Sequence, residues 1–166
     1  MIRLAKATDA KVIAHIKVDG WQTAYKGIIP DSILSKLNYD EEESRDLKRI
    51  LGQDKDFTSK ILVYEDNNEV LGIAFYGKAI DSNYDGEILA LYVKPDMKRK
   101  GIGSKLVTHI KEELKNEGFN NMIIWCLKDN INSIIFYEKM GGEINKERTI
   151  NIDGIDLIEV GIVYNF

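Results

Sequence analysis

The chain has 166 residues, 44% of them hydrophobic and 30% charged, with a formal net charge of −4. A net negative charge argues against non-specific nucleic-acid binding, which rests on many phosphate contacts, and no apolar run approaches the roughly 18 residues of a membrane span. The length suits a single domain over residues 1–166, and the sole cysteine, Cys126, excludes an internal disulfide and suits a reducing, cytoplasmic setting.

In chain order, Ile2–Lys6 reads as a short first strand, and the N-terminus shows no apolar signal-peptide core. Thr8 or Asp9 suits the cap of a helix with Val12, Ile13, Ile16 and Trp21 on its apolar face. Trp21 and Tyr25, four apart, share a face if that helix persists. A second short helix follows Pro30-Asp31 and buries Ile33, Leu34 and Leu37, while the charge-dense Tyr39–Leu51 reads as a solvent-exposed helix. The period then changes to two. Lys60–Tyr64 and Val70–Phe75 are expected strands joined at the Asn67-Asn68 turn, and Glu87–Val93 a third strand stopped by Pro95.

Ile102, Leu106, Val107, Ile110 and Leu114 mark one stripe of a helix ended by Glu117-Gly118. Asn121–Leu127 is a mostly apolar strand suited to burial on both faces, and Asn132–Lys139 a short helix ending at Gly141-Gly142. A last hairpin, Glu143–Phe166, turns at Asp153-Gly154 and is free to pair with a second copy of the chain. This order predicts an α+β fold: a mixed, mostly antiparallel sheet with a central parallel βαβ unit. Helices are expected on both of its faces.

The junction between the third strand and its helix carries the chemistry. Leu91-Tyr92-Val93 runs into Lys98-Arg99-Lys100-Gly101-Ile102-Gly103-Ser104 and directly into the helix. A helix N-terminus offers free N–H groups and a partial positive charge, so it suits an anion. Glycines there tolerate positive φ and bring a phosphate close to the backbone. A Walker loop is excluded, because the chain has no G-x-x-x-x-G-K-[ST] run, and Leu106 stands where a dinucleotide fingerprint needs glycine. The same pattern also suits a plain tight turn with solvated lysines.

What remains resembles the acetyl-CoA loop of the GNAT superfamily, Gln/Arg-x-x-Gly-x-Gly/Ala, with Lys98 in the Gln/Arg place. A second stretch, Asn130-Ile131-Asn132-Ser133-Ile134-Ile135-Phe136-Tyr137-Glu138-Lys139-Met140-Gly141, resembles that superfamily's Asn-x-x-Ala/Ser-x-x-Phe-Tyr-Glu-Lys-x-Gly motif. The likeness covers residues 57–143 well, and the Trp21–Asp31 segment resembles an acceptor-side segment of the superfamily less specifically.

The resemblance implies an acetyl-CoA-dependent N-acetyltransferase that needs no metal and acetylates an amine by direct attack in a ternary complex. It implies that Leu91, Tyr92 and Val93 pair with the pantetheine arm and that residues Lys98 to Ser104 hold the pyrophosphate. Lys98 in place of Arg supplies a point charge rather than a planar fork. Asn130 is expected to bind the co-substrate or to cap its helix. Tyr137 takes the place of the general acid, although a core tyrosine beside Phe136 would look the same. Glu87 matches a position where some members keep a glutamate and is the candidate base, although Asp81, Asp85 and Glu87 also suit an ordinary solvated edge. Trp21, Tyr25, Tyr92 and Trp125 either line the acceptor pocket or pack the core. His15, His109 and Cys126 are expected to be structural. The rival readings are an idle acyl-CoA-binding domain, against which Tyr137 counts, and a nucleic-acid patch at Lys98–Lys100, a poor footprint in an acidic chain without interleaved aromatics.

Overall fold

Two asparagines set the first long hairpin. Asn67 and Asn68 both take positive φ, 49° and 62°, which matches the right-handed twist of the strands they join. The computed structural model describes residues 1–166. β1 (Ile2–Leu4) pairs with β2 (Lys60–Asp66), which turns through that hairpin into β3 (Glu69–Lys78) and then β4 (Gly86–Val93). The helix α4 (Ile102–Asn116) crosses over to β5 (Asn121–Leu127), and α5 (Ile131–Lys139) leads to the closing hairpin of β6 (Glu143–Ile152) and β7 (Ile155–Asn165). The seven strands form one sheet in the order β1-β2-β3-β4-β5-β7-β6, antiparallel throughout except at the β4–β5 pair. This is the expected α+β arrangement with its central parallel unit.

The alternation of side chains along each strand divides the core into two. On one face α4 lays Leu106, Ile110 and Leu114 against Ile88, Met122, Ile124 and Ile162, all essentially without exposure. Each such side chain contributes about 1.5–3 kcal/mol when fully buried. On the other face α1 (Ala10–Ala24) packs Ile13 and Ile16 on Val63, Ile73 and Phe75. A smaller cluster ties α2 (Asp31–Leu34) to the closing hairpin, with Ile29 and Leu34 meeting Leu127 and flanked by Trp21, Tyr25, Ile150 and Leu157.

Two local expectations give way to tertiary partners. Asp9 does not cap α1; its carboxylate accepts from the Lys6 N–H at 2.7 Å and pairs with Arg3, which also reaches Glu65 and so ties β1 to β2. The second is α3 (Tyr39–Ile50), whose charge density suggested full solvent exposure. Instead it buries Glu42 and Asp46 against α1, where the Lys17 Nζ lies 2.5 Å from Glu42 and 2.6 Å from Asp46. Asp46 has no exposure, and burial pushes its carboxyl up despite the neighbouring Lys17 and Arg49 cations. One cation is therefore shared by two buried anions.

Removing that cation leaves buried Asp46 with Arg49 alone at 3.4 Å and buried Glu42 with the exposed Arg45 alone. Lys17→Ala is expected to destabilise the fold by about 3–5 kcal/mol, read by urea or thermal unfolding. The pair change Lys17→Met with Asp46→Leu should recover most of the loss. Equal unfolding of wild type and Lys17→Ala would show that the cluster contributes nothing.

Candidate co-substrate and acceptor site

The site is made by a pairing that stops. β4 and β5 meet in register only at Gly86/Met122, Glu87/Ile123 and Ile88/Ile124. Beyond these positions β4 stays with β3 as far as Val93, and β5 stays with β7 as far as Leu127. A one-residue bulge at Leu89, where Tyr76 faces Ile88 but Phe75 faces Ala90, bends β4 away. The facing edges of Leu91–Val93 and Trp125–Leu127 therefore diverge with backbone groups left free, an arrangement suited to an added extended segment.

At the mouth of this wedge lies the basic loop. Arg99 and Gly101 take positive φ, 63° and 79°, which turn the chain into α4. The first bond of that helix runs from the Lys105 N–H to the Gly101 carbonyl at 3.0 Å, so the N–H groups of Ile102, Gly103 and Ser104 have no acceptor in the chain. Lys98, Arg99 and Lys100 are exposed around them, with no carboxylate partner. Gly101 is thus required by its backbone conformation. Gly103 has a different reason from the positive φ expected of it: it lies within the helix, and a Cβ there would stand 3.2 Å from the Phe136 ring and 3.6 Å from Leu91. Its bareness lets α5 close against the loop.

Asn130 caps α5, its side chain accepting from the Ser133 N–H at 3.4 Å, and is nearly buried. This is one of its two expected roles. Tyr137 is 7% exposed; its backbone carbonyl accepts from the Tyr164 hydroxyl at 2.7 Å, which anchors α5, and its own hydroxyl has no partner in the chain. Tyr137 reaches the wedge from the α4 and α5 face of the sheet, and Tyr25 and Tyr92 reach it from the α1 face. Tyr92 is seated against Gly20 of α1, where a Cβ would come within 2.5 Å of its ring. The gap between β4 and β5 lets phenols from opposite faces act on one another and on the Cys126 thiol. Burial is the main cause holding all four neutral. It pushes Tyr25 up to about 12, Cys126 up to about 12, and Tyr92 and Tyr137 well above the ordinary phenol range.

The residues expected on the acceptor side lie on the α1 face of the sheet. Glu87 is buried at 5% exposure, accepts from the Ile80 N–H at 3.0 Å, and has its carboxyl raised chiefly by burial. Its neighbours do form a partly exposed edge, where Asp81 binds Lys146 and Asp85 accepts from the Asn120 N–H at 2.7 Å; Glu87 alone is buried. Trp21 and Tyr25 do share a face, their rings edge to face with centroids 4.7 Å apart, and the indole N–H groups of Trp21 and Trp125 are buried without an acceptor. His15 stacks on Tyr39 and His109 faces Glu113, so neither joins the wedge.

Two residues of this side escaped the sequence analysis. Arg148 lies over the Trp125 ring at 3.9 Å and donates from Nε to Glu159 at 2.7 Å. The signal was present in the register: counting outward from the Asp153-Gly154 turn places Arg148 opposite Glu159.

Comparison with known proteins agrees with this geometry. The family model described as "Acetyltransferase (GNAT) family" matches residues 21–142. The uncharacterized N-acetyltransferase YuaI of Bacillus subtilis is 35% identical over 97% of this chain and 90% of its own length. Among solved structures, the PaiA N-acetyltransferase of Thermoplasma acidophilum, in complex with coenzyme A, superimposes with a TM-score of 0.78 at 20% identity, covering 100% of this chain and 98% of its own. The yncA protein of Salmonella typhimurium, solved with its cofactor acetyl-CoA, gives a TM-score of 0.71 at 22% identity over 99% and 92% of the two chains.

The buried thiol makes a direct prediction. Cys126 should be unreactive toward an aromatic disulfide reagent at pH 8 in the folded protein and react fully after denaturation. Rapid labelling of the native chain would mean the wedge is open to solvent at Cys126.

Proposed function

This chain belongs to the GNAT acetyltransferase family and transfers acetyl from acetyl-CoA, and we propose that its acceptor is a primary amine attacking the thioester directly while both substrates are bound. The observation that carries the reading is the conjunction of the β4–β5 wedge with the free N–H groups of Ile102, Gly103 and Ser104 at its mouth. The wedge fits an extended arm, and the loop fits a pyrophosphate. When bound, acetyl-CoA supplies the acetyl group as an activated thioester.

The residues divide the work as follows. Leu91, Tyr92 and Val93 offer their free backbone edge to the pantetheine arm, and an N–H on that edge stabilises charge developing on the thioester oxygen. Lys98, Arg99 and Lys100 add positive charge around the pyrophosphate, with Gly101 and Gly103 shaping the loop that receives it. Asn130 fixes the start of α5 and so the position of Tyr137. An alkyl amine has a pKa near 10.4, so at neutral pH a proton must leave before it can attack. Glu87 is the base for that proton, and its raised carboxyl pKa improves the match. Trp21, Tyr25 and Trp125 bound the space where the amine lies.

As the carbon–nitrogen bond forms and the carbon–sulfur bond breaks, the Tyr137 hydroxyl gives its proton to the departing sulfur, and the proton that the new amide nitrogen must shed restores the phenol. Burial keeps that phenol protonated at any working pH, yet also makes it a weak acid. Because the coenzyme's thiol titrates near 8.5, transfer must accompany sulfur departure rather than precede it.

Three outcomes test this reading. Coenzyme A at 100 times its Kd should stabilise the wild type by about 2.7 kcal/mol, and Gly101→Glu should lose that shift, since it strains the positive φ and sets a negative charge against the pyrophosphate. Tyr137→Phe should lower kcat by about 10²–10³ with coenzyme A binding retained, and equal turnover would show that water protonates the sulfur. The rate of acetylation should rise with pH toward the amine's own pKa; a flat profile would mean that deprotonation of the acceptor does not govern the rate.

A further inference from the structure

The acceptor side holds five ionisable groups whose pairings are unequal. Asp81 is taken by Lys146, Glu87 accepts from the Ile80 backbone, and Glu159 accepts from Arg148. The carboxylates are each engaged. Arg148 is not: only its Nε has a partner, and both terminal nitrogens of the guanidinium are free of any acceptor in the chain. The group is nonetheless held in place, with its central carbon 3.9 Å from the centre of the Trp125 ring and its Nε fixed by Glu159 at 2.7 Å. Lys146 also lies over Trp125, at 5.6 Å, but its charge is committed to Asp81. The Trp125 indole N–H beneath is a further donor without an acceptor.

A fixed, half-exposed guanidinium with two parallel N–H donors matches the geometry of an oxyanion. It is also near the chemistry. Arg148 and Glu159 both act electrostatically on Glu87, and Glu159 acts on Tyr25 and Cys126 in the wedge. Arg148 and Glu159 stand on β6 and β7 on the same face of the sheet as Trp125, so the hairpin brings them over the acceptor side.

We infer that Arg148 is a specificity residue, and that the acceptor is a primary amine carrying its own oxyanion, bound by the free nitrogens of Arg148 with the amine directed toward Glu87. A carboxylate or a phosphate would satisfy the same fork. A peptide N-terminus would not, because an amide stands where the oxyanion is needed. Glu159 is then a positioning residue that holds the fork flat. This assignment rests on the acetyltransferase mechanism proposed above and narrows its acceptor.

The test compares matched acceptors by thiol release at saturating acetyl-CoA. L-amino acids are set against their primary amides, and O-phosphoethanolamine against ethanolamine, for the wild type, Arg148→Gln and Arg148→Lys. The wild type should prefer the oxyanion-bearing member of a pair. Arg148→Gln should raise its KM by about 10- to 100-fold, the worth of a hydrogen-bonded charge, with kcat nearly kept and the neutral member unaffected. Arg148→Lys should recover part of the loss. Whether the amino acids or the phosphoamine respond tells carboxylate from phosphate. Equal use of both members of every pair, or an equal loss for both in Arg148→Gln, overturns the assignment. So does a protein that is stabilised by coenzyme A yet acetylates only neutral or multiply cationic amines, or no amine in the set. Absence of coenzyme A stabilisation would instead bring down the parent mechanism and this inference with it.

Discussion

The structure depends on the place where β4 and β5 part. A parallel pair closed along its full length would bury its backbone groups in the sheet and leave nothing for a ligand to bind. Here the ladder runs for three pairs and ends at Ile88/Ile124, and the Leu89 bulge bends β4 from β5 while both strands remain anchored to their outer neighbours. The unpaired edges persist because β3 and β7 hold the strands from outside. The cost of the open edge is offset by the two packed faces, since α4 covers one side and α1 the other.

The same opening is where side chains on opposite faces influence one another electrostatically. In a closed sheet Tyr137 would be separated by a layer of backbone from Tyr25 and Tyr92. Across the wedge, these phenols and the Cys126 thiol influence one another, all kept neutral by burial. Charge is placed at the rims instead. Lys98, Arg99 and Lys100 surround the α4 N-terminus, while Glu87, Glu159 and Arg148 lie on the acceptor side. A centre whose side chains are uncharged and buried strengthens any hydrogen bond made there to developing charge.

Much of this was legible beforehand because local rules and tertiary demands agree. The turn residues Asn67-Asn68 and Asp153-Gly154 adopt the positive φ values their types favour, and every strand and helix read from periodicity is present. The strand–basic loop–helix junction and the Asn130–Gly141 stretch were legible for the same reason, since both are short and contiguous. The misread residues are those whose partners are distant in sequence. Asp9 stands at the α1 cap position without capping it, because Arg3 and the Lys6 N–H hold its carboxylate, and the otherwise exposed or half-buried α3 buries Glu42 and Asp46 because Lys17 lies 29 residues before Asp46. Gly103 does not use the backbone freedom expected of it; the Phe136 ring, 33 residues on, is what crowds a Cβ there.

The sequence by itself determined the elements, their order, the parallel crossover and the basic loop that opens α4, because these follow from periodicity, turn chemistry and the composition of one short segment. Only the tertiary structure decided the extent of β4–β5 pairing, the meeting of Tyr25, Tyr92 and Tyr137, and the seat of Arg148 on Trp125. Those outcomes turn on a one-residue bulge and on contacts between segments far apart in the chain. Period and propensity report which face a side chain takes, and not which distant side chain it will meet there.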